Sequence, residues 1–236
     1  MEDFDVKSLA AYLHLTPDQV KKAAMRGKLP GRRVGGDWRF NPSDIHHWME
    51  ERIGEDDGTS LDQYDRMLDR AEKKQADVEA PPQISRLCSV DSIEVPLKAR
   101  TRGSVIREIC KVAARTGTLW DPSAMAEAVA TREQMHPTAL DCGVALLHPR
   151  RPQTSILADS LIALAVCSSP IPFSNQGHET DVFFLICSYD DRSHLRILAR
   201  LSRILTSTPL LGPLREASDA NTAWRVLQEA EDSLDS

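Results

Sequence analysis

The sequence predicts an α/β protein in two parts: a small module of short helices around a basic hairpin, then a larger layered domain. Three observations predict it. Residues 20–40 hold seven basic groups against one acid, Asp37, although the 236-residue chain carries a net charge of −6. The stretch 55–83 is polar and charged and ends in Pro81-Pro82, so it reads as a connector. Beyond it, helical and strand-like apolar patterns alternate over about 150 residues, the size of one ordinary domain, and such alternation predicts an α/β layered architecture.

Composition narrows the classes. At 41% hydrophobic and 27% charged, the chain is too apolar to be disordered and long enough for one or two packed cores. The most apolar stretch, residues 160–173, contains two prolines and is shorter than the roughly 20 residues that cross a bilayer. The acidic start, Met1-Glu2-Asp3-Phe4-Asp5, argues against a secretory signal, so a cytoplasmic protein is expected. No two of Cys88, Cys110, Cys142, Cys167 and Cys187 lie within ten residues of one another. That excludes a Cys-x-x-Cys site and leaves most of the cysteines as small core residues. Residues 1–54 carry 9 basic and 8 acidic groups, net +1, and residues 55–80 carry 4 and 9, net −5. A basic patch on an acidic chain marks where an anion docks.

In the first part, Val6 to Leu13 is a short helix by its apolar spacing. Thr16-Pro17-Asp18-Gln19 starts a second: Thr caps, Pro takes the first turn, and Gln sits at the capping-box position. That helix runs to about Arg26 and ends at Gly27. Residues 32–40 form a tight hairpin around Gly35-Gly36, which supplies the positive φ angles of a two-residue turn. Asn41-Pro42-Ser43-Asp44 starts a third helix with Ile45, Trp48 and Met49 on one face, and Trp38 and Trp48 are expected to be core anchors. Together these make a winged helix-turn-helix.

Residues 4–53 resemble the excisionase-type, MerR-like DNA-binding domain in Gly27-Lys28-Leu29-Pro30, in the Gly35-Gly36-Asp37-Trp38-Arg39-Phe40 wing and in Ser43-Asp44-Ile45 followed by Trp48. Lys21, Lys22 and Arg26 lie on the helix that would enter the major groove, and Arg32, Arg33 and Arg39 lie on or beside the wing, suited to phosphates. The alternative is a solvated basic face on a protein-binding module. In the connector, Leu61, Tyr64, Leu68, Ala71, Gln75 and Val78 follow heptad spacing. This is either a homodimer contact over residues 61–78 or a solvated linker helix.

In the second part, Arg102-Gly103-Ser104 opens a helix with Val105, Ile106, Ile109, Val112 and Ala113 as its apolar positions. Asp121-Pro122 opens another through Met125, Ala128 and Val129. After an irregular stretch, Gly143 to His148 reads as a buried strand with a histidine at its end. Leu161 to Cys167 and Asp181 to Ser188 are two further strands, the second apolar enough to be covered on both faces. Arg192 to Leu205 is a periodic helix, and Ser218-Asp219 caps a last one carrying Trp224, Leu227 and Ala230.

This order resembles the PTS EIIA domain of the fructose/mannitol and nitrogen-regulatory type. The residues that carry the resemblance are 128–135 (AVATREQM), 143–148 (GVALLH), Pro170-Ile171-Pro172-Phe173 with 181–186 (DVFFLI), and 194–205 (HLRILARLSRIL). It covers roughly residues 88–235, taking residues 55–86 as an acidic, helical linker and 87–236 as the domain. It implies a central mixed sheet and a phosphoryl carrier charged by an HPr-like phosphocarrier protein. By position, His148 matches the phosphorylated histidine, Arg132 the arginine supporting the phosphoryl group, and His194 the second active-site histidine. Neutral imidazole attacks phosphorus near pH 7, and a fixed guanidinium steadies the charge on the transferred oxygens. Leu147 and Pro149 flank His148 where the family usually has proline and glycine, and Pro149 brings no N–H. The second reading is therefore a non-catalytic interaction regulator with a degenerate sensing domain.

No cofactor is expected. There is no Gly-x-Ser-x-Gly elbow and no Walker-type glycine loop. His136, His148, His178 and His194, with Asp141 or Cys142, lack the short spacings of a metal site.

Overall fold

In the computed structural model the described residues are 3–13, 15–41, 44, 45, 48, 82–135, 137–173 and 179–234. The connector with its heptad pattern, and Met49, His136 and His178, lie outside them. The chain divides into two compact units, residues 1–80 and 81–236. Among the described residues no helix is long and apolar enough to cross a membrane.

The first unit contains α1 (Val6–Tyr12), α2 (Pro17–Met25), β1 (Arg32–Val34) and β2 (Asp37–Arg39). The capping box at α2 is complete: the Gln19 N–H donates to Thr16 Oγ1, and the Thr16 N–H donates to Gln19 Oε1. This satisfies a helix-end donor that otherwise has no partner. β1 and β2 pair antiparallel with Val34 opposite Asp37, leaving Gly35 (φ 61°) and Gly36 (φ 93°) as the two turn residues. Gly31 is needed for a different reason, since a Cβ there would lie 2.6 Å from the Phe40 ring. Leu9, Leu13, Val20, Leu29, Phe40 and Ile45 form the core. The described residues of the third helix, Asp44, Ile45 and Trp48, are helical. Trp38 and Trp48 are only half-buried, a correction to their reading as core anchors. Trp38 stacks on the buried Phe40, and Trp48 Nε1 donates to the Lys28 carbonyl at 2.7 Å, so each fastens a neighbour from the margin of the core.

The second unit runs α3 (Ile84–Leu87), β3 (Ile93–Glu94), α4 (Arg102–Ala114), α5 (Pro122–Met135), β4 (Val144–Leu147), β5 (Leu161–Pro172), β6 (Glu179–Cys187), α6 (Asp191–Ser207), α7 (Leu211–Glu216) and α8 (Ala220–Leu234). The sheet order is β3-β5-β6-β4. β3 is parallel to β5, β5 antiparallel to β6, and β6 parallel to β4, so the sheet is mixed. Strand period two sorts the core into two layers. Ala145, Leu147, Ala163, Phe183 and Leu185 face α4 and α5. Val144, Leu146, Leu164, Phe184 and Ile186 face α6 and α8. Helices thus cover both faces, which is why β6 is apolar from Val182 to Cys187.

α3, α7 and the two-residue β3 carry too few residues to show a period, and sequence patterning passes over them. A buried ion pair ties α3 down. The Glu231 carboxylate accepts from the Ile84 N–H (2.8 Å), the Ser85 N–H (2.9 Å) and Ser85 Oγ (2.7 Å), and it meets Arg200 Nε at 3.3 Å. Trp224 Nε1 donates to the Ser85 carbonyl. The last helix therefore holds the first residues of the unit.

Candidate functional site

β4 and β6 are parallel, so both deliver side chains at the same edge of the sheet. Val144, Leu146 and His148 are two apart and share the face that α6 covers, as do Val182, Phe184, Ile186 and Ser188. α6 begins beyond Asp190, whose side chain accepts from the Ser193 N–H, and its first turn brings His194 over this face. The outcome is a pair of buried imidazoles. His148 is 3% exposed and His194 8%, with ring centroids 4.9 Å apart and planes tilted by 55°.

Each ring is oriented through Nδ1. His148 Nδ1 lies 2.8 Å from the Leu146 carbonyl, which can only accept, so in the neutral ring Nδ1 carries the proton and Nε2 the lone pair. His194 Nδ1 lies 3.1 Å from Ser188 Oγ, itself buried. The sequence reading did not single out Ser188. Its signal was the even register it shares with Val182, Phe184 and Ile186.

Arg132 comes from the opposite layer, on the last turn of α5, and is 3% exposed. The adjacent Glu133 is buried as well. Its carboxylate accepts from the Thr138 N–H (3.1 Å) and from Thr138 Oγ1. The Arg132 and Arg102 guanidiniums favour its charge. Arg102 in turn donates to the Phe173 carbonyl and lies over the Phe173 ring.

Desolvation outweighs these partners and raises the Glu133 pKa above its ordinary 4.5. A carboxyl raised on folding favours the folded state below its unfolded pKa, and that contribution is lost as pH rises through the folded pKa. Wild type should therefore lose stability relative to Glu133→Gln across that window. Melting temperatures of both proteins at about pH 4 and pH 8 check this; a constant difference would mean the burial cost is already offset.

The segment after α5, an irregular stretch in the sequence, folds back along β4. The Leu140 N–H donates to the Val144 carbonyl (2.7 Å), the Leu146 N–H to the Thr138 carbonyl (3.3 Å), and Ala139 bridges Ala145. Gly143 (φ 85°) makes the turn, and a Cβ there would lie 2.6 Å from Arg215 Nη2. Arg215 is fixed by Asp181 at 2.8 and 2.9 Å and donates to the Cys142 carbonyl. Asp141 and Cys142 are exposed, and among the described residues no group of three or more His, Cys, Asp or Glu side chains is placed to hold a metal.

In the first unit, Lys21, Lys22 and Met25 lie at helical spacing on one exposed face of α2, with the exposed Arg26 at its C-cap. Arg32 and Arg33 are exposed on β1, and Arg39 is half-buried on β2. Arg32 pairs with Asp3 at 2.9 Å, and the Arg33 guanidinium lies 5.3 Å from the Trp38 ring centroid.

A mixed sheet between two helical layers defines a class of fold, and comparison with known proteins agrees. The chain belongs to the phosphoenolpyruvate-dependent sugar phosphotransferase system EIIA 2 family, which matches residues 86–230, and it carries a helix-turn-helix domain over residues 4–53. It is 29% identical over 148 residues to a nitrogen regulatory protein of Bradyrhizobium diazoefficiens, covering 61% of this chain and 94% of that one. Its fold is that of nitrogen regulatory protein IIA-Ntr from Neisseria meningitidis (TM-score 0.54, 18% identity, 62% of this chain and 99% of that one). It is likewise that of IIA mannitol from Escherichia coli (TM-score 0.52, 16% identity, 59% and 97%).

Proposed function

We propose that the protein is a phosphotransfer-linked regulator, acting in the cytoplasm. In this reading its EIIA domain accepts a phosphoryl group on His148, and its helix-turn-helix module binds DNA. The observation that carries it is the Nδ1 contact of His148, which leaves the Nε2 lone pair for attack on phosphorus. In the step, Nε2 forms a bond to phosphorus as the phosphorus–nitrogen bond of a donor phosphohistidine, protonated on its other ring nitrogen, breaks; the donor leaves as a neutral imidazole with the electron pair, and the His148 ring keeps its Nδ1 proton as a phosphorylated imidazolium. Arg132 steadies the oxygens in flight, and His194 orients and hydrogen-bonds the bound group. Pro149 offers that group no backbone donor, so the side chains carry the stabilisation. The donor is an HPr-like phosphocarrier. Incubating the purified chain with phosphoenolpyruvate, enzyme I and HPr should give acid-labile phosphate on the protein. Absence of label, with a known EIIA labelled in parallel, would favour the non-catalytic, interaction-only reading.

For the module, Lys21, Lys22, Arg26, Arg32, Arg33 and Arg39 are proposed to contact phosphates. Six such contacts make duplex affinity fall about 10³-fold between 50 and 200 mM salt. Reversing charge at Arg32 and Arg33 should remove most of the binding. Fluorescence anisotropy on the full chain measures both, and binding indifferent to salt would argue against a phosphate-reading face. Comparing the phosphorylated and unphosphorylated chain in the same assay tests whether the two activities are coupled.

A further inference from the structure

Resting on His148 as acceptor, we propose that Glu133 is a positioning residue, which fixes the His148 ring through a hydrogen-bonded path along the outer edge of β4.

β4 is the edge strand that leads to His148, with β6 on one side and, among the described residues, no strand on the other. An edge strand lacks the second ladder that holds a central one, so its end is the mobile part of the sheet. Here residues 138–140 supply that ladder. The path is continuous. Thr138 donates its N–H and its hydroxyl to Glu133. The Thr138 carbonyl accepts from the Leu146 N–H. The Leu146 carbonyl accepts the His148 Nδ1 proton. Glu133 is anchored at its other end by α5, whose last turn buries it together with Arg132, and by the neighbouring charges of Arg132 and Arg102. One carboxylate therefore sits between the helix that presents Arg132 and the strand that presents His148, and it sets both to the same framework. Such a support acts on the reaction through geometry, because a small misplacement of reacting groups is costly in rate.

The test reads the ring directly. Nitrogen-15 NMR of the histidine side chains reports which nitrogen of His148 is protonated, without any phosphate donor. Glu133→Ala should lower the Nδ1–H fraction of His148 and slow labelling by phosphorylated HPr about tenfold. Glu133→Gln keeps an acceptor for Thr138 and should restore both toward wild type. Thr138→Val, which removes only the hydroxyl, should shift the same two readouts in the same direction by less, and it serves if Glu133→Ala does not fold. An unchanged His148 tautomer in folded Glu133→Ala, or in Thr138→Val if the alanine variant is unfolded, would overturn the proposal. If wild type takes no label yet the tautomer shifts, the phosphotransfer reading fails and the positioning role stands.

Discussion

Replacing His148 with alanine is expected to abolish acid-labile phosphate on the chain, while His194→Ala leaves a slower residual reaction. The difference follows from the two rings' surroundings. His148 ends a strand, and its Nδ1 is committed to a backbone carbonyl that cannot rotate away, so Nε2 is presented in one orientation. His194 sits on the first turn of α6 against a serine hydroxyl, which can donate or accept and so tolerates either tautomer. The first arrangement suits a nucleophile and the second suits a group that adjusts to what is bound. Phosphate counts on the purified variants, with circular dichroism to verify folding, make the comparison. Full labelling of His148→Ala would place the acceptor elsewhere.

The largest expected effect on stability lies far from the histidines. Glu231→Ala leaves Arg200 buried without its carboxylate and strips three donors of α3 of their acceptor. Breaking a buried pair from one side costs about 3–5 kcal/mol, a large part of the stability of an ordinary domain. Glu231→Gln should lose less, since its amide oxygen still accepts from Ile84 and Ser85. Urea unfolding followed by tryptophan fluorescence gives both values. Equal midpoints for wild type and Glu231→Ala would show that water replaces the carboxylate without cost.

Much of this was legible in the sequence because the signals were local. The Thr16 capping box, the Gly35-Gly36 turn and the apolar runs of β4 and β6 each span a few residues and follow from backbone geometry. Strand period two then sets His148 on the face of Val144 and Leu146. What the sequence hid was the opposite edge of β4. Residues 138–140 are a ladder only because Glu133 and β4 are there to receive them, and Thr-Ala-Leu has no period of its own. Glu133 was in plain view beside Arg132, but nothing in a sequence tells a buried carboxylate from a solvated one on a helix end. The tryptophans misled for a related reason: their bulk points to the core, while the indole N–H of Trp48 has a carbonyl to meet at the surface.

The contact between Glu231, Trp224 and residues 84–85 has one more consequence. The EIIA domain begins and ends at the same place, so its chain is close to a closed ring. A short peptide joining residue 234 to residue 82 would circularise it, and new termini opened at the exposed Ser168-Ser169-Pro170, where the pairing of β5 with β6 shifts register, would cut no core strand pair.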